Sequence, residues 1–84
     1  MAEVIIYTRQ ACSYCSAAKA LLRQKGVSFI EHDASYDQAL RAEMMQKSGR
    51  STFPQIFIGG KHIGGFDDMN GLNRAGSLDA MLLA

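Results

Sequence analysis

Tryptophan is absent from this 84-residue chain, proline occurs once and cysteine only twice. Two cysteines are too few for the disulfide framework that staples small secreted domains. Long apolar runs are missing as well: no segment approaches the roughly 18 residues needed to span a bilayer. The opening, Met1 to Tyr7, has neither a charged stretch nor a long apolar one, so no export signal is expected there. These absences lead us to expect a cytoplasmic protein with no membrane partner. Charge of one sign is also lacking. Nine Lys and Arg oppose eight Asp and Glu, a formal net charge of +1, without the basic excess of a nucleic-acid binder. No repeat, low-complexity tract or linker divides the chain, so one domain, residues 1–84, is expected. Hydrophobic residues make up 48% of it, enough to build a core and too many for disorder.

What is present reads as alternating strands and helices. Val4-Ile5-Ile6-Tyr7 is a β-branched and aromatic run that predicts a strand buried on both faces. From Ser13 to Lys25, Ala17, Ala18, Leu21 and Leu22 form an apolar stripe with Lys19 and Arg23 on the solvated side, and Gly26 is a natural stop. Val27 to Ile30 predicts a second strand, parallel to the first. Ser35-Tyr36-Asp37-Gln38 fits a capping box opening a helix that runs to about Lys47, supported by Asp37–Arg41 and Glu43–Lys47 pairs. Gln55 to Ile58 and Lys61 to Ile63 read as a hairpin turning at Gly59-Gly60. Asp67 and Asp68 suit the positive end of a third helix, and Leu78 to Leu83 offers a last helical turn. The expected class is α/β, in the order β-α-β-α-β-β-α, with a mixed four-stranded sheet flanked by helices.

The chemistry sits in Cys12-Ser13-Tyr14-Cys15. A C-x-x-C between a strand and a helix is a redox pattern. Cys12 falls just before the helix, where free backbone N–H groups and the helix dipole favour thiolate over thiol. Arg9 adds a nearby cation, and Cys15, one turn further in, is expected to be shielded. Three plainer readings compete. A structural disulfide closing so short a loop has little use in a reducing compartment. A zinc site needs four ligands, and no second C-x-x-C or paired histidines follow. Two inert buried thiols would not need a helix start.

Two further segments carry the same double reading. Pro54 opens a strand, an ordinary place for proline, while a cis bond before it would turn the Phe53 backbone toward an extended peptide. Gly64-Gly65-Phe66-Asp67-Asp68 is either a turn with an acidic helix start or a place where a ligand's carboxylate and ammonium are held. His62 reads as a solvent-facing edge residue, and Tyr7 and Tyr36 as packing residues.

In this order, Tyr7-Thr8-Arg9, Cys12-Ser13-Tyr14-Cys15, Thr52-Phe53-Pro54-Gln55 and Gly64-Gly65-Phe66-Asp67-Asp68 resemble the glutaredoxins, most closely the small bacterial dithiol type, from Val4 to about Leu83. The resemblance implies a thioredoxin fold, a cis Pro54 and glutathione as co-substrate. It implies Cys12 as nucleophile and Cys15 as resolving thiol. It also implies a glutathione site made of Arg9, Tyr14, Thr52, Phe53, Pro54, Gly65, Phe66, Asp67 and Asp68. Ser13 stands where the family commonly has proline, Phe53 where it has valine or isoleucine, Phe66 where it often has cysteine, and Arg9 where it usually has lysine. The implied reaction is reduction of glutathionylated proteins and of disulfides, by a monomer. Two rivals come with the same likeness. One is a [2Fe–2S] cluster bridged between two copies, with Cys12 as ligand and glutathione completing the set. The other is an electron donor to ribonucleotide reductase.

Overall fold

Val4–Thr8 forms strand β1, buried along its whole length apart from half-buried Ile5. β1 runs parallel to β2 (Ile30–Asp33) on one side and antiparallel to β3 (Gln55–Ile58) on the other. β4 (Lys61–Gly64) pairs antiparallel outside β3, so the order across the sheet is β2-β1-β3-β4. The computed structural model describes residues 1–84 and adds four helices: α1 (Ser13–Gln24), α2 (Gln38–Ser48), α3 (Phe66–Arg74) and α4 (Leu78–Leu83). None of them is long and apolar enough to cross a membrane.

The two-residue period of the strands sorts the layers. Val4, Ile6, Ile56 and Ile58 join Ala18, Leu21, Leu22, Met69, Leu78 and Leu82 in the main core, which places α1, α3 and α4 on one face. Tyr7 and Phe57 point the other way and meet Met44 of α2. Gly59 and Gly60, at φ +59° and +80°, make the tight turn between β3 and β4. Positive φ at both central residues is what a two-residue hairpin of this twist requires. This is the mixed, helix-flanked sheet expected from the sequence, with α4 appended; Leu82 accepts the Ala2 N–H at 3.0 Å and closes the core.

Four local expectations are corrected. The second strand begins at Ile30, not Val27, because Gly26 turns the chain at φ +72° and Val27 is spent on the end of α1, donating to Leu22 O at 3.4 Å. The cap of α2 is Asp37, whose carboxylate accepts the Leu40 N–H at 3.1 Å. Ser35 instead turns back onto Asp33. Arg41 does not pair with Asp37; it donates to Ala34 O and Ser35 O at 2.8 and 3.1 Å. Tyr36 is not a packing residue but 90% exposed.

Candidate active site

The site is built from three segments that the fold brings to the C-terminal end of β1. Cys12 is the N-cap of α1, with extended backbone at φ −122°, and its sulfur accepts the Cys15 N–H at 3.1 Å. The two Cα atoms are 5.2 Å apart, within ordinary disulfide reach, and the sulfurs are joined. Cys12 is 9% exposed and Cys15 2%, so an incoming sulfur meets Cys12 first. The loop before them is braced from the side. Thr8 O accepts from Ala34 N at 2.9 Å and Gln10 N donates to Ser35 Oγ at 2.7 Å. Ala11, at φ +53°, makes the sharp entry into the helix.

The second segment lies across from the cysteines. The Phe53–Pro54 bond is cis, and the Phe53 carbonyl oxygen sits 4.0 Å from Cys12 Sγ. The Arg41 guanidinium lies 5.8 Å from the centre of the Phe53 ring, so a cation–π contact ties this loop to the one bracing Gln10.

The third segment is the start of α3. Gly65 is its N-cap, and one oxygen of Asp68 accepts both the Gly65 N–H at 2.9 Å and Arg50 Nη1 at 3.0 Å. The Gly65 N–H first, then Arg50, holds the Asp68 carboxyl below its ordinary range. The Tyr14 and Phe66 rings stack at 6.3 Å. Between the segments lies a cleft of about 230 Å³ lined by Tyr14, Thr52, Phe53, Pro54, Gly65, Phe66, Asp67 and Asp68, together with Arg50. A larger hollow of about 400 Å³ lies among Met1, Ala2, Val4, Phe29 and Ile30, none of them beside the cysteines. The smaller cleft is lined by Tyr14 of the cysteine motif and by Phe53, whose carbonyl oxygen is 4.0 Å from Cys12 Sγ. The chemistry therefore belongs to the smaller cleft.

Of the residues implied for glutathione binding, Arg9 alone lies outside it. Its guanidinium folds onto its own loop, donating to Gln10 O and Ala11 O at 3.0 and 3.2 Å, and makes no hydrogen bond to the Cys12 sulfur. Arg50 stands inside the cleft, and sequence reasoning passed it over. The available clue was a cation placed between the helix stop at Gly49 and the Thr52-Phe53-Pro54 segment. His62, expected to face solvent at the sheet edge, is instead half-buried, with Nε2 2.8 Å from Gln55 Oε1.

A joined cysteine pair at the first helix of a thioredoxin fold, facing a cis-proline loop, defines a thiol–disulfide oxidoreductase. Comparison with known proteins narrows the class. The glutaredoxin family model matches residues 4–63. The chain is 54% identical to glutaredoxin 3 of Escherichia coli over 82 residues, which cover 98% of this chain and 99% of that protein. It is 58% identical to a glutaredoxin from Brucella melitensis solved in solution, covering 98% of this chain and 89% of that one, with a TM-score of 0.86. The buckwheat glutaredoxin–glutathione complex superposes with a TM-score of 0.90 at 34% identity, covering 98% of this chain and 77% of that one. The chain belongs to the glutaredoxin family.

Proposed function

We propose that this oxidoreductase acts on glutathione mixed disulfides, with Cys12 as nucleophile and Cys15 as resolving thiol. The observation that carries the reading is the Cys12 sulfur at the N-cap of α1, accepting a backbone N–H and lying 4.0 Å from the carbonyl oxygen of Phe53, which lines the cleft. In the reduced enzyme the same N–H and the helix dipole stabilise a thiolate. That thiolate attacks the glutathione sulfur of a mixed disulfide. The S–S bond breaks, the protein thiolate leaves and takes a proton from water, and Cys12 is left bonded to glutathione. A second glutathione thiolate then attacks this bond, releasing glutathione disulfide and the Cys12 thiolate. Alternatively Cys15 loses its proton and attacks Cys12, releasing glutathione and closing the internal disulfide.

Glutathione carries two carboxylates and one ammonium, and the cleft offers complementary groups. The free N–H groups opening α3 and the Arg50 guanidinium suit the carboxylates, and Asp67, which has no partner of its own, suits the ammonium. Thr52 and Phe53 supply a backbone edge, Tyr14 and Phe66 an aromatic wall, and Pro54 and Gly65 the floor. That the similar buckwheat glutaredoxin was solved as a complex with glutathione supports glutathione as the ligand. Arg50 adds a cation inside the cleft to the one that the resemblance implies at Arg9. The setting we propose is the reducing cytoplasm, with glutathionylated or disulfide-bearing proteins as substrates, ribonucleotide reductase among them. For a [2Fe–2S] cluster the chain offers one accessible sulfur, Cys12, and no gathering of three or more His, Cys, Asp or Glu. A cluster would therefore need a second copy and outside thiols.

The test is glutathione-coupled turnover of a glutathionylated peptide by anaerobically purified protein, its visible spectrum recorded first. Cys12→Ser is expected to abolish turnover. Cys15→Ser is expected to keep it while losing most reduction of a protein disulfide. Activity surviving in Cys12→Ser would overturn the roles, and a brown, dimeric, inactive protein would favour the cluster.

A further inference from the structure

Gln55 is the largest fully polar side chain in the interior, 0% exposed on β3, and its contacts run in one direction. Its amide nitrogen donates to Thr52 O at 3.0 Å and to Thr52 Oγ1 at 3.1 Å. A backbone carbonyl only accepts, so the end of the amide facing Thr52 must be nitrogen. The oxygen end then faces His62 Nε2, 2.8 Å away on β4. An amide oxygen only accepts, so Nε2 must carry a hydrogen.

We propose that His62 is a positioning residue for the substrate cleft: it donates to Gln55, which holds the Thr52-Phe53-Pro54 loop at its working distance from Cys12. The proposal deepens the glutathione reading above and rests on it. The relay also sets the polarity at its far end. Thr52 Oγ1 has one of its two lone pairs engaged by Gln55, and no protein acceptor takes its hydroxyl hydrogen. Thr52 is exposed at the cleft, so its hydroxyl hydrogen is free to be donated to an acceptor on the bound thiol compound. Remove the His62 donor and the buried Gln55 oxygen is orphaned. Turning the amide is no remedy, because it sets the oxygen against Thr52 O and leaves the NH2 without an acceptor. The side chain, and with it the loop that carries Phe53, must shift to bring the oxygen to a new donor. The His62 ring is held for this task by Phe57, 5.1 Å away between centroids, and burial first, then nearby Arg50, disfavours its charged form.

The experiment compares His62→Leu, which lacks a donor, with His62→Gln, whose amide can supply one. The reading is steady-state turnover of a glutathionylated peptide, beside the pH dependence of Cys12 alkylation by iodoacetamide. His62→Leu is expected to raise KM about three- to tenfold, the scale of one lost hydrogen bond. The Cys12 alkylation profile is expected to stay in place, and His62→Gln to return KM most of the way. An unchanged KM in folded His62→Leu overturns the proposal. So does a KM rise that His62→Gln cannot rescue, or one accompanied by a moved alkylation profile. If His62→Leu does not fold, nitrogen NMR of the wild-type ring decides: the Nε2–H form is expected, and an Nδ1–H form sinks the relay. Failure here leaves glutathione-coupled turnover in the wild type and none in Cys12→Ser, whereas failure of the glutathione reading would show as a wild type without that turnover.

Discussion

Tyr7 has an environment that its neighbours in β1 do not share. It is 1% exposed, its ring lies 5.8 Å from Phe57 and 5.1 Å from His32, and its hydroxyl donates to the Glu43 carboxylate. Burial first, then the hydrogen bond and charge of Glu43, push its phenol up to about 12. An unfolded tyrosine ionises near about 10. Below that pH both states keep the proton and the full stability is present. As pH climbs from 10 to 12, only the unfolded chain releases the proton, so the folded state loses ground. The loss by pH 12 is on the order of 2–3 kcal/mol. Urea unfolding at pH 9 and pH 11.5 measures it, with Tyr7→Phe as reference because lysines titrate in the same range. Tyr7→Phe is expected to cost about 1 kcal/mol at neutral pH and to flatten the alkaline fall. A variant midpoint that drops as steeply as the wild type's would refute the assignment. Arg41 shows the same logic at an exposed position: paired to carbonyls rather than to Asp37, it holds two loops and faces an aromatic ring at once.

Between elements, the junction of β4 and α3 carries the most constraint. Gly64 closes β4 at φ +121°, and a Cβ there would overlap the Asp68 carboxylate and come within 3.1 Å of Arg50 Nη1. Gly64→Ala is expected to displace Asp68 from Gly65 and Arg50, costing more than about 1 kcal/mol from backbone conformation alone and weakening glutathione binding. Gly71 is the contrasting case. It lies inside α3 with open space around it, so Gly71→Ala is expected to stabilise by about 0.5–1 kcal/mol and leave KM alone. Thermal melts with KM measured on both variants test the pair, and a tolerated Gly64→Ala would remove the junction from the site. Elements were legible in the sequence where local chemistry decides them. The run Val4 to Tyr7, the α1 stripe and the Gly59-Gly60 turn needed no distant information. Ile30–Asp33 did: its exposed, charged Glu31 and Asp33 do not spell a strand, and pairing with β1 imposes one. The cleft residues were named by motif order, but Arg50 and His62 take their roles from partners across other elements. Arg50 meets Asp68 and His62 meets Gln55 only after α3 and β4 are in place.

Over the whole molecule, the sheet separates two apolar clusters, and the site draws on both. Cys15 is carried by α1 over the main core, while Phe53 packs on the smaller cluster of Tyr7, Met44 and Phe57. A chain of this length is held folded by about 4–13 kcal/mol, so loss of one core side chain is felt globally. Leu22→Ala and Met44→Ala each delete a fully buried side chain and are expected to cost about 2–5 kcal/mol. Their effects on the site are expected to differ. Leu22 lies beneath α1, away from the proline loop, so its variant should unfold at lower urea while the folded fraction keeps its KM. Met44 supports the cluster on which Phe53 rests, so its variant should lose stability and raise KM together. Urea titrations followed by turnover at a temperature where both variants remain folded separate the two outcomes. Equal KM values in the two variants would mean that the α2 face does not position the loop, and that Arg41 and the Gln55–His62 pair hold it unaided.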